Sequence, residues 1–284
     1  MAAATRAEKV QRFAALHERP GTFVMPNPWD AGTARMLTAL GFEALATTSA
    51  GFAFSIGRRD SAAALTRDEL LGNARAIVEA THLPVSGDLE DGFGAAPEAC
   101  AETVRLAADV GLVGGSIEDA TGDSSKPIFD FQQAVERVAA SCEAARALPF
   151  VLTARAENYL HGRPDLDDTI RRLQAFAAAG ADVLYAPGLP NLDAIRTVCA
   201  AVDKPVNVVM GLKGPAFAVE ELRAAGVKRI SVGGAFARAA LGAFMRAARE
   251  VRERGTFTFS ADAMPAAEAS GYMASSKRIA PESV

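Results

Sequence analysis

Eight short apolar runs, each followed by a segment of helical periodicity, dominate the organisation of this chain. The runs begin at Thr22, Ala44, Leu83, Val113, Phe150, Ala181, Lys204 and Lys228. Their nearly continuous hydrophobicity is typical of strands that are buried on both faces of a parallel sheet. Several of the intervening segments end in a glycine just before the next run, namely Gly41, Gly111, Gly180 and Gly226. The pattern predicts an α/β fold, a (β/α)₈ TIM barrel in which strand and helix alternate around a closed sheet.

An open, doubly wound sheet is the alternative arrangement for such a pattern. No GxGxxG turn follows the first run, which weakens a dinucleotide-binding version of that fold.

We expect a single domain over residues 1–284, with an N-terminal helix over 1–20 and a C-terminal extension over 255–284. Thr66 and Glu69 have the spacing of a capping box at the start of a helix.

Composition and charge argue against several classes of function. The chain has 284 residues and a formal net charge of −4, without the basic stripe that nucleic-acid binding requires. No run approaches the roughly 18 apolar residues of a membrane span, and the N-terminus shows no signal-peptide core. Cys100, Cys142 and Cys199 lie far apart, so we expect reduced thiols in a cytoplasmic protein. The three histidines are scattered, which argues against a zinc site.

Charged residues gather where the predicted strands end. The stretch VSGDLEDGFG, residues 85–94, places Asp88, Glu90 and Asp91 close together, and Glu118 and Arg155 end the next two runs. The carboxyl ends of the strands meet on one face of a barrel, where the active site of such folds lies. Carboxylates this close repel one another and lose hydration, so their clustering indicates a function that offsets the cost.

Two interpretations of these acids are open. Acids on adjacent strands beside an arginine can hold a divalent cation next to an anionic substrate, and oxygen ligands suit Mg²⁺ or Mn²⁺. The arginine can grip a carboxylate with two hydrogen bonds, and the ion can stabilise an enolate as it forms. Alternatively, the acids only cap helices or pair with basic residues, a role that we expect first for Asp91 and Asp119.

The motifs taken together resemble the isocitrate lyase/phosphoenolpyruvate mutase superfamily. The stretches that carry the resemblance are NPWDAGTARMLTALGFEALATTSAG, GDLEDGFG, GGSIEDA, LTARAE, GADVLYAPG and KPVNVVMG, and they extend from about Phe23 to Arg254. The resemblance implies an α/β barrel, Mg²⁺, and small carboxylate or phosphonate substrates that react through pyruvate-enolate-like species. It also implies a homotetramer, a dimer of dimers, in which the last helix is swapped onto a neighbouring barrel.

The resemblance also implies a set of metal-binding residues. Asp88 matches the acid that contacts the ion directly, and Glu118 matches a glutamate of the metal shell. Glu90 stands where the family usually has a second aspartate and is one methylene longer. Asp60 matches an acid that holds water bound to the ion.

Substrate-binding residues follow from the same resemblance. Arg155 matches the arginine that binds the substrate carboxylate. The turn Ser49, Ala50 and Gly51 matches the one that holds the carboxylate and the keto oxygen of the substrate. Asn207 lies near a polar substrate position on the seventh strand.

The loop after the fourth run departs from the best-known members. It reads DATGDSSKPIFDF and lacks the cysteine and histidine of the Lys-x-Cys-Gly-His motif found in the isocitrate and methylisocitrate lyases. It contains Lys126 but not the asparagine of the phosphonate-processing members, and the sixth run ends in YAPG instead of a glutamate. These departures disfavour large tricarboxylate substrates.

The leading hypothesis is a Mg²⁺-dependent lyase that cleaves a C–C bond of a small 2-oxo or 2-hydroxy carboxylate. P–C bond chemistry of the phosphonomutase type is the alternative, and a non-catalytic barrel that binds keto acids is a third. We expect the loop from Ala120 to Phe129, rich in Gly, Ser and Asp, to be mobile and to close over the site. Lys126 would then bring positive charge to a second anionic group of the substrate.

Overall fold

The computed structural model, which describes residues 5–61 and 64–274, contains one sheet of eight parallel strands. The strands are β1 (Phe23–Met25), β2 (Leu45–Ala46), β3 (Val85–Asp88), β4 (Gly114–Glu118), β5 (Val151–Arg155), β6 (Val183–Tyr185), β7 (Val206–Val209) and β8 (Arg229–Ser231). From β2 to β8 each strand pairs with the next one in the chain, and β8 pairs with β1. This sequential order contradicts the doubly wound alternative.

The barrel is nearly closed between β1 and β2, which are joined by hydrogen bonds beyond the ends of the strands. Ala46 N donates to the Pro26 carbonyl (3.0 Å), and Asn27 Nδ2 donates to the Thr47 carbonyl (2.8 Å). The predicted TIM-like α/β fold with eight parallel strands is therefore confirmed.

Helices cover the outside of the sheet. They are α1 (Arg6–Glu18), α2 (Ala31–Ala39), α3 (Ser49–Ser55), α4 (Arg67–Ala80), α5 (Pro97–Asp109), α6 (Phe131–Arg146), α7 (Leu166–Ala179), α8 (Leu192–Ala201), α9 (Val219–Ala224), α10 (Ala235–Arg254) and α11 (Ala266–Ala274). The predicted capping box starts α4, because Glu69 N donates to Thr66 Oγ1 and Thr66 N donates to Glu69 Oε2. Gly180 ends α7 with a φ of 111°, a left-handed conformation that favours glycine. None of the helices in the described ranges is long and apolar enough to cross a membrane.

A single row of paired residues ascends through the barrel interior. Arg229 on β8 pairs in register with Asn207 on β7, and Asn207 pairs with Tyr185 on β6. Tyr185 pairs with Arg155 on β5, and Arg155 pairs with Glu118 on β4. All five side chains line the same interior cavity. The row therefore brings polar groups from five strands into one continuous surface inside the barrel.

Helix α1 closes the end of the barrel opposite the carboxyl ends of the strands. Phe13 and Leu16 are buried and pack in one cluster with Phe23 and Val183 of the strands. A Cβ atom at Gly114 would lie 2.8 Å from the Phe13 ring, so the absence of a side chain there makes room for the helix. The cavity can therefore open only toward the carboxyl ends of the strands.

The C-terminal part leaves the barrel after the first turn of α10. In this 20-residue helix only Ala237 and Glu250 are buried, whereas Leu241 and Phe244 are exposed. The chain then returns, and α11 packs on α2, where Arg35 donates to the Met273 carbonyl (2.6 Å). The predicted C-terminal helical segment is thus present up to residue 274, and residues 275–284 lie outside the described part.

Acid should destabilise the protein through His17. Its Nδ1 donates to the Phe13 carbonyl (2.8 Å) and its Nε2 accepts from Arg229 (3.2 Å), so the neutral ring is the form that fits. Burial and the charge of Arg229 lower the pKa of His17 to about 3. This contribution to stability is complete above the unfolded pKa of roughly 6.5 and is lost as the pH falls toward 3. From pH 6.5 to 5, the free energy of unfolding measured with urea should fall by about 2 kcal/mol.

A variant of His17 tests this assignment. His17→Gln keeps one donor and one acceptor but does not titrate, so the dependence of stability on pH should flatten. The wild type, measured in the same buffers, is the reference for this comparison. An unaltered pH dependence in His17→Gln would assign the acid sensitivity to other groups.

Candidate active site

A cavity of about 900 Å³ opens at the carboxyl ends of the strands. Most of the residues that the sequence singled out line it: Ser49, Ala50, Asp60, Asp88, Glu90, Glu118, Arg155 and Asn207. Gly51 is buried behind this surface in α3, where its N–H donates to Thr48 Oγ1. The structure therefore brings the predicted metal and substrate residues together, apart from Lys126.

Asp88 stands at the end of β3 with both carboxylate oxygens occupied. Oδ2 accepts from the backbone N–H (3.1 Å) and the hydroxyl (2.9 Å) of Ser49, the first residue of α3. Oδ1 accepts from Arg155 Nη1 (3.1 Å). Asp88 is held from two sides, so its carboxylate has a defined position in the cavity.

Glu90 reaches the cavity from a strained backbone. Its φ of 50° is left-handed, a conformation that few non-glycine residues adopt and that often marks a functional site. Burial, followed by the charge of Asp88, raises the pKa of Glu90 to about 7. The pKa of Asp60 is raised for the same two reasons, and burial raises that of Glu118 well above its usual range. Burial and the neighbouring acids therefore both oppose ionisation of these carboxylates.

The donor set fits Mg²⁺ held largely through water. All of the nearby acids offer hard oxygen ligands, and their mutual repulsion would be relieved by a divalent charge. In the described part of the chain, no group of three or more histidine, cysteine or acidic side chains is arranged as a preformed metal cage. Mg²⁺ needs few protein ligands because it keeps several of its waters. An ion contacted directly by Asp88 alone is compatible with this arrangement.

The Arg155 side chain is only 13% exposed and contacts three acids. Nη1 lies 3.1 Å from Asp88 and 3.0 Å from Glu118, and Nη2 lies 2.9 Å from Glu157. Burial alone would lower the pKa of Arg155, but Glu118 and Glu157 raise it well above the usual range. The guanidinium also lies over the Tyr185 ring, 4.9 Å from its centroid. Arg155 is therefore a fixed charge whose Nη1 faces the candidate metal ligands.

Asp119 supports this arrangement from behind. It is buried and accepts hydrogen bonds from the Glu157 N–H (2.8 Å) and from Arg172 (2.9 Å). Arg172 also donates to the Phe129 carbonyl (3.0 Å), at the end of the loop that follows β4. Asp91 accepts from the Phe93 N–H (2.8 Å) within its own turn. Both acids thus make the supporting contacts that one of the two sequence interpretations expects for them.

The loop from Ala120 to Phe129 is closed by its own hydrogen bonds. Ala120 and Ile128 form an antiparallel bridge, and Thr121 N donates to the Pro127 carbonyl. Lys126 pairs with Asp130 (2.8 Å), is about half exposed and does not line the cavity. The predicted role of Lys126 would therefore require movement of this loop.

Several cavity residues were not predicted from the sequence as site residues. Arg238, in the first turn of α10, lines the cavity close to Asp60, on which its charge acts. It follows the Gly233-Gly234 pair that ends the eighth apolar run, so its position was recognisable from the strand pattern. Arg229 is the second residue of the same run, and only the register of β8 shows that it points inward.

Comparison with known proteins agrees with this geometry. Residues 13–252 match the family model described as phosphoenolpyruvate phosphomutase. A 2-methylisocitrate lyase from Escherichia coli is 30% identical over 207 residues, which cover 70% of this chain and 69% of the relative.

Two solved structures extend the similarity to the fold. A protein from Burkholderia cenocepacia J2315, assigned provisionally as a lyase/mutase, is 60% identical and superimposes with a TM-score of 0.93, covering 95% of this chain and 97% of the other. A 2,3-dimethylmalate lyase is 25% identical, with a TM-score of 0.83 and coverage of 95% of both chains. The chain belongs to the isocitrate lyase/phosphoenolpyruvate mutase superfamily and is an enzyme of the lyase or mutase type.

Proposed function

We propose that this enzyme is a Mg²⁺-dependent lyase that cleaves a C–C bond of a small 2-oxo or 2-hydroxy carboxylate. The observation that carries the proposal is the cluster of Asp88, Glu90 and Glu118 at the carboxyl ends of the strands, where Arg155 contacts Asp88 and Glu118. Mn²⁺ would suit the same oxygen donors. The named lyases among the relatives support C–C cleavage.

Asp88, Glu118, Glu90 and Asp60 would hold the ion, with Asp88 in direct contact and the others largely through water. The bound ion would supply positive charge to the substrate oxygen that becomes anionic when the bond breaks. Ser49 would then redirect its hydroxyl and backbone N–H from Asp88 to the substrate. Ala50, which follows it at the start of α3, would present its backbone N–H to the same carboxylate or keto oxygen. Gly51, predicted for the same role, would first have to release its N–H from Thr48 Oγ1.

Arg155 would bind the substrate carboxylate through Nη1. This atom now contacts Asp88 and Glu118, the two acids that an ion would draw away, while Nε and Nη2 remain on Glu157. Glu157 and the Tyr185 ring would keep the guanidinium in place during this exchange. Asn207 already uses both amide atoms, toward Ser231 and Arg229, so it would contact the substrate through its remaining N–H.

P–C bond chemistry is the second candidate, and the match to the phosphoenolpyruvate phosphomutase family favours it. A phosphonate carries more negative charge than a carboxylate and would benefit from added cations at the mouth of the cavity. Arg238 lines that region, and Lys126 would reach it if the loop from Ala120 to Phe129 closed. The same closure would exclude water from the reactive species.

Turnover assays with and without Asp88 test the proposal. The wild-type enzyme should release pyruvate or a related product from oxaloacetate or substituted malates, but only with Mg²⁺ or Mn²⁺. Asp88→Asn should abolish turnover and weaken Mg²⁺ binding, measured by calorimetry, by roughly a hundredfold or more, while the circular dichroism spectrum stays native. Turnover of phosphonopyruvate alone would favour the second candidate, and an Asp88→Asn enzyme with unchanged metal dependence would contradict the metal assignment.

Binding of Mg²⁺ near pH 7 should release protons from Glu90. Its pKa is raised to about 7, so close to half of the side chains are protonated at that pH, and a nearby cation would favour the ionised form. Calorimetric titrations in two buffers of different ionisation enthalpy measure this release. Glu90→Gln should lose most of it, whereas Glu157→Gln should retain it. Equal proton release in wild type and Glu90→Gln would place the titrating group elsewhere.

We further propose that the enzyme is a cytoplasmic homotetramer in which α10 packs on a neighbouring barrel. The exposed apolar residues of this helix support the proposal, since Phe244 is 66% exposed and Leu241 is 44% exposed. Sedimentation equilibrium should give a tetramer for the wild type and smaller species for Phe244→Asp. Leu40→Asp, which changes an equally exposed residue of the barrel body (66%), should remain tetrameric. A tetrameric Phe244→Asp protein would contradict the role of α10.

A further inference from the structure

Arg229 lies deep inside the barrel, at the lower end of the interior row. It begins β8 and points inward, only 3% of its surface is exposed, and that remainder faces the floor of the active-site cavity. Arg155 stands higher on the same row, with Tyr185 and Asn207 between the two arginines. The cavity therefore contains a second guanidinium below the candidate metal site.

The contacts of Arg229 are all to uncharged groups. Nε donates to Asn207 Oδ1 (2.8 Å), Nη2 donates to Thr153 Oγ1 (2.9 Å), and Nη1 donates to His17 Nε2 (3.2 Å). His17 is neutral, because the same geometry lowers its pKa. Within the described ranges, no aspartate or glutamate lies within ion-pair distance of Arg229. By contrast, the partly buried Arg155 and the buried Arg172 both contact carboxylates.

A buried cation without a counter-charge is costly, because it loses hydration and gains no ion pair in return. Burial accordingly lowers the pKa of Arg229 to about 9. A guanidinium has five N–H donors, and the three contacts use one each, which leaves two for another acceptor. The side of Arg229 that faces the cavity is therefore where an anion would recover the missing interaction.

We propose that Arg229 forms a carboxylate-binding subsite at the floor of the active-site cavity. Two sources of the carboxylate fit this chemistry: the far end of a dicarboxylate substrate, or a free small monocarboxylate that occupies the floor beneath the substrate. The first source rests on the proposed function, since it makes the substrate a dicarboxylate. The subsite itself depends neither on the metal nor on turnover.

Arg155, unlike Arg229, does not lack a negatively charged partner. Three carboxylates already surround it, so its charge is compensated in the free enzyme. Arg229 has a fixed hydrogen-bond frame of neutral partners that holds the guanidinium plane while leaving its charge available. Ser231, which accepts from Asn207 (3.1 Å), also lines the cavity beside this frame and has a hydroxyl proton to donate to a bound carboxylate.

Bromide locates the subsite directly. Wild-type crystals soaked in sodium bromide should show an anomalous peak within hydrogen-bonding distance of the Arg229 guanidinium, both with and without Mg²⁺ and oxalate. Peaks confined to the cavity mouth or to the protein surface would overturn the proposal. This experiment requires no substitution, so it decides the question even if Arg229 variants fail to fold.

Formate binding tests the subsite in solution. Calorimetry without Mg²⁺ should show formate binding to the wild type and at least a tenfold loss of affinity in Arg229→Gln. Arg238→Gln removes another guanidinium from the same cavity, but at its mouth, and should change the affinity by less than twofold. Equal affinity in wild type and Arg229→Gln, or an equal loss in both variants, would overturn the proposal.

Succinate and propionate distinguish the two sources. If the natural occupant is the far carboxylate of the substrate, succinate with Mg²⁺ should bind at least tenfold more tightly than propionate, and Arg229→Gln should remove this advantage. If the occupant is a free monocarboxylate, succinate should have no advantage while formate still binds. A protein that binds formate at Arg229 but turns over no carboxylate would disprove the proposed function and leave the subsite intact.

Discussion

The parallel register of the eight strands is the constraint on which the site depends. Because neighbouring strands are staggered, one row of paired residues passes from Arg229 near the barrel floor to Glu118 at the mouth. Side chains alternate between the two faces of a strand, so a shift of one residue would turn the polar members of this row outward. Packing of apolar residues on the outer face against the helices therefore also determines which groups enter the cavity.

Acidic side chains at the mouth of the cavity are partly buried and repel one another. Asp60, Glu90 and Glu118 all have raised pKa values, since burial and neighbouring acids oppose their ionisation. Arg155 compensates part of this charge through direct contacts, and Asp119 holds Glu157 in position against it. A group of acids with raised pKa values in one cavity is typical of functional sites.

At the floor of the cavity the situation is reversed, because within the described ranges the Arg229 guanidinium has no carboxylate beside it. His17 links the floor to α1, because its ring connects the Phe13 carbonyl to Arg229. The N-terminal helix thus closes the barrel with apolar side chains and also holds the interior arginine through a neutral histidine. Stability at the closed end and charge inside the cavity are consequently coupled through one ring.

The barrel and the upper part of the site can be predicted from the sequence. Eight apolar runs with glycine stops specify alternating strands and helices, and carboxyl ends that meet on one face bring Asp88, Glu118 and Arg155 together without further information. The inward direction of Arg229 could not be predicted, because a short apolar strand buried on both faces has no alternation of polar and apolar residues to indicate which side chains face the interior. The pairing of Lys126 with Asp130 and the left-handed backbone of Glu90 were likewise decided only by the tertiary structure. Both lie in loops that follow the strand ends, where the sequence has no helical or strand period from which a conformation can be predicted.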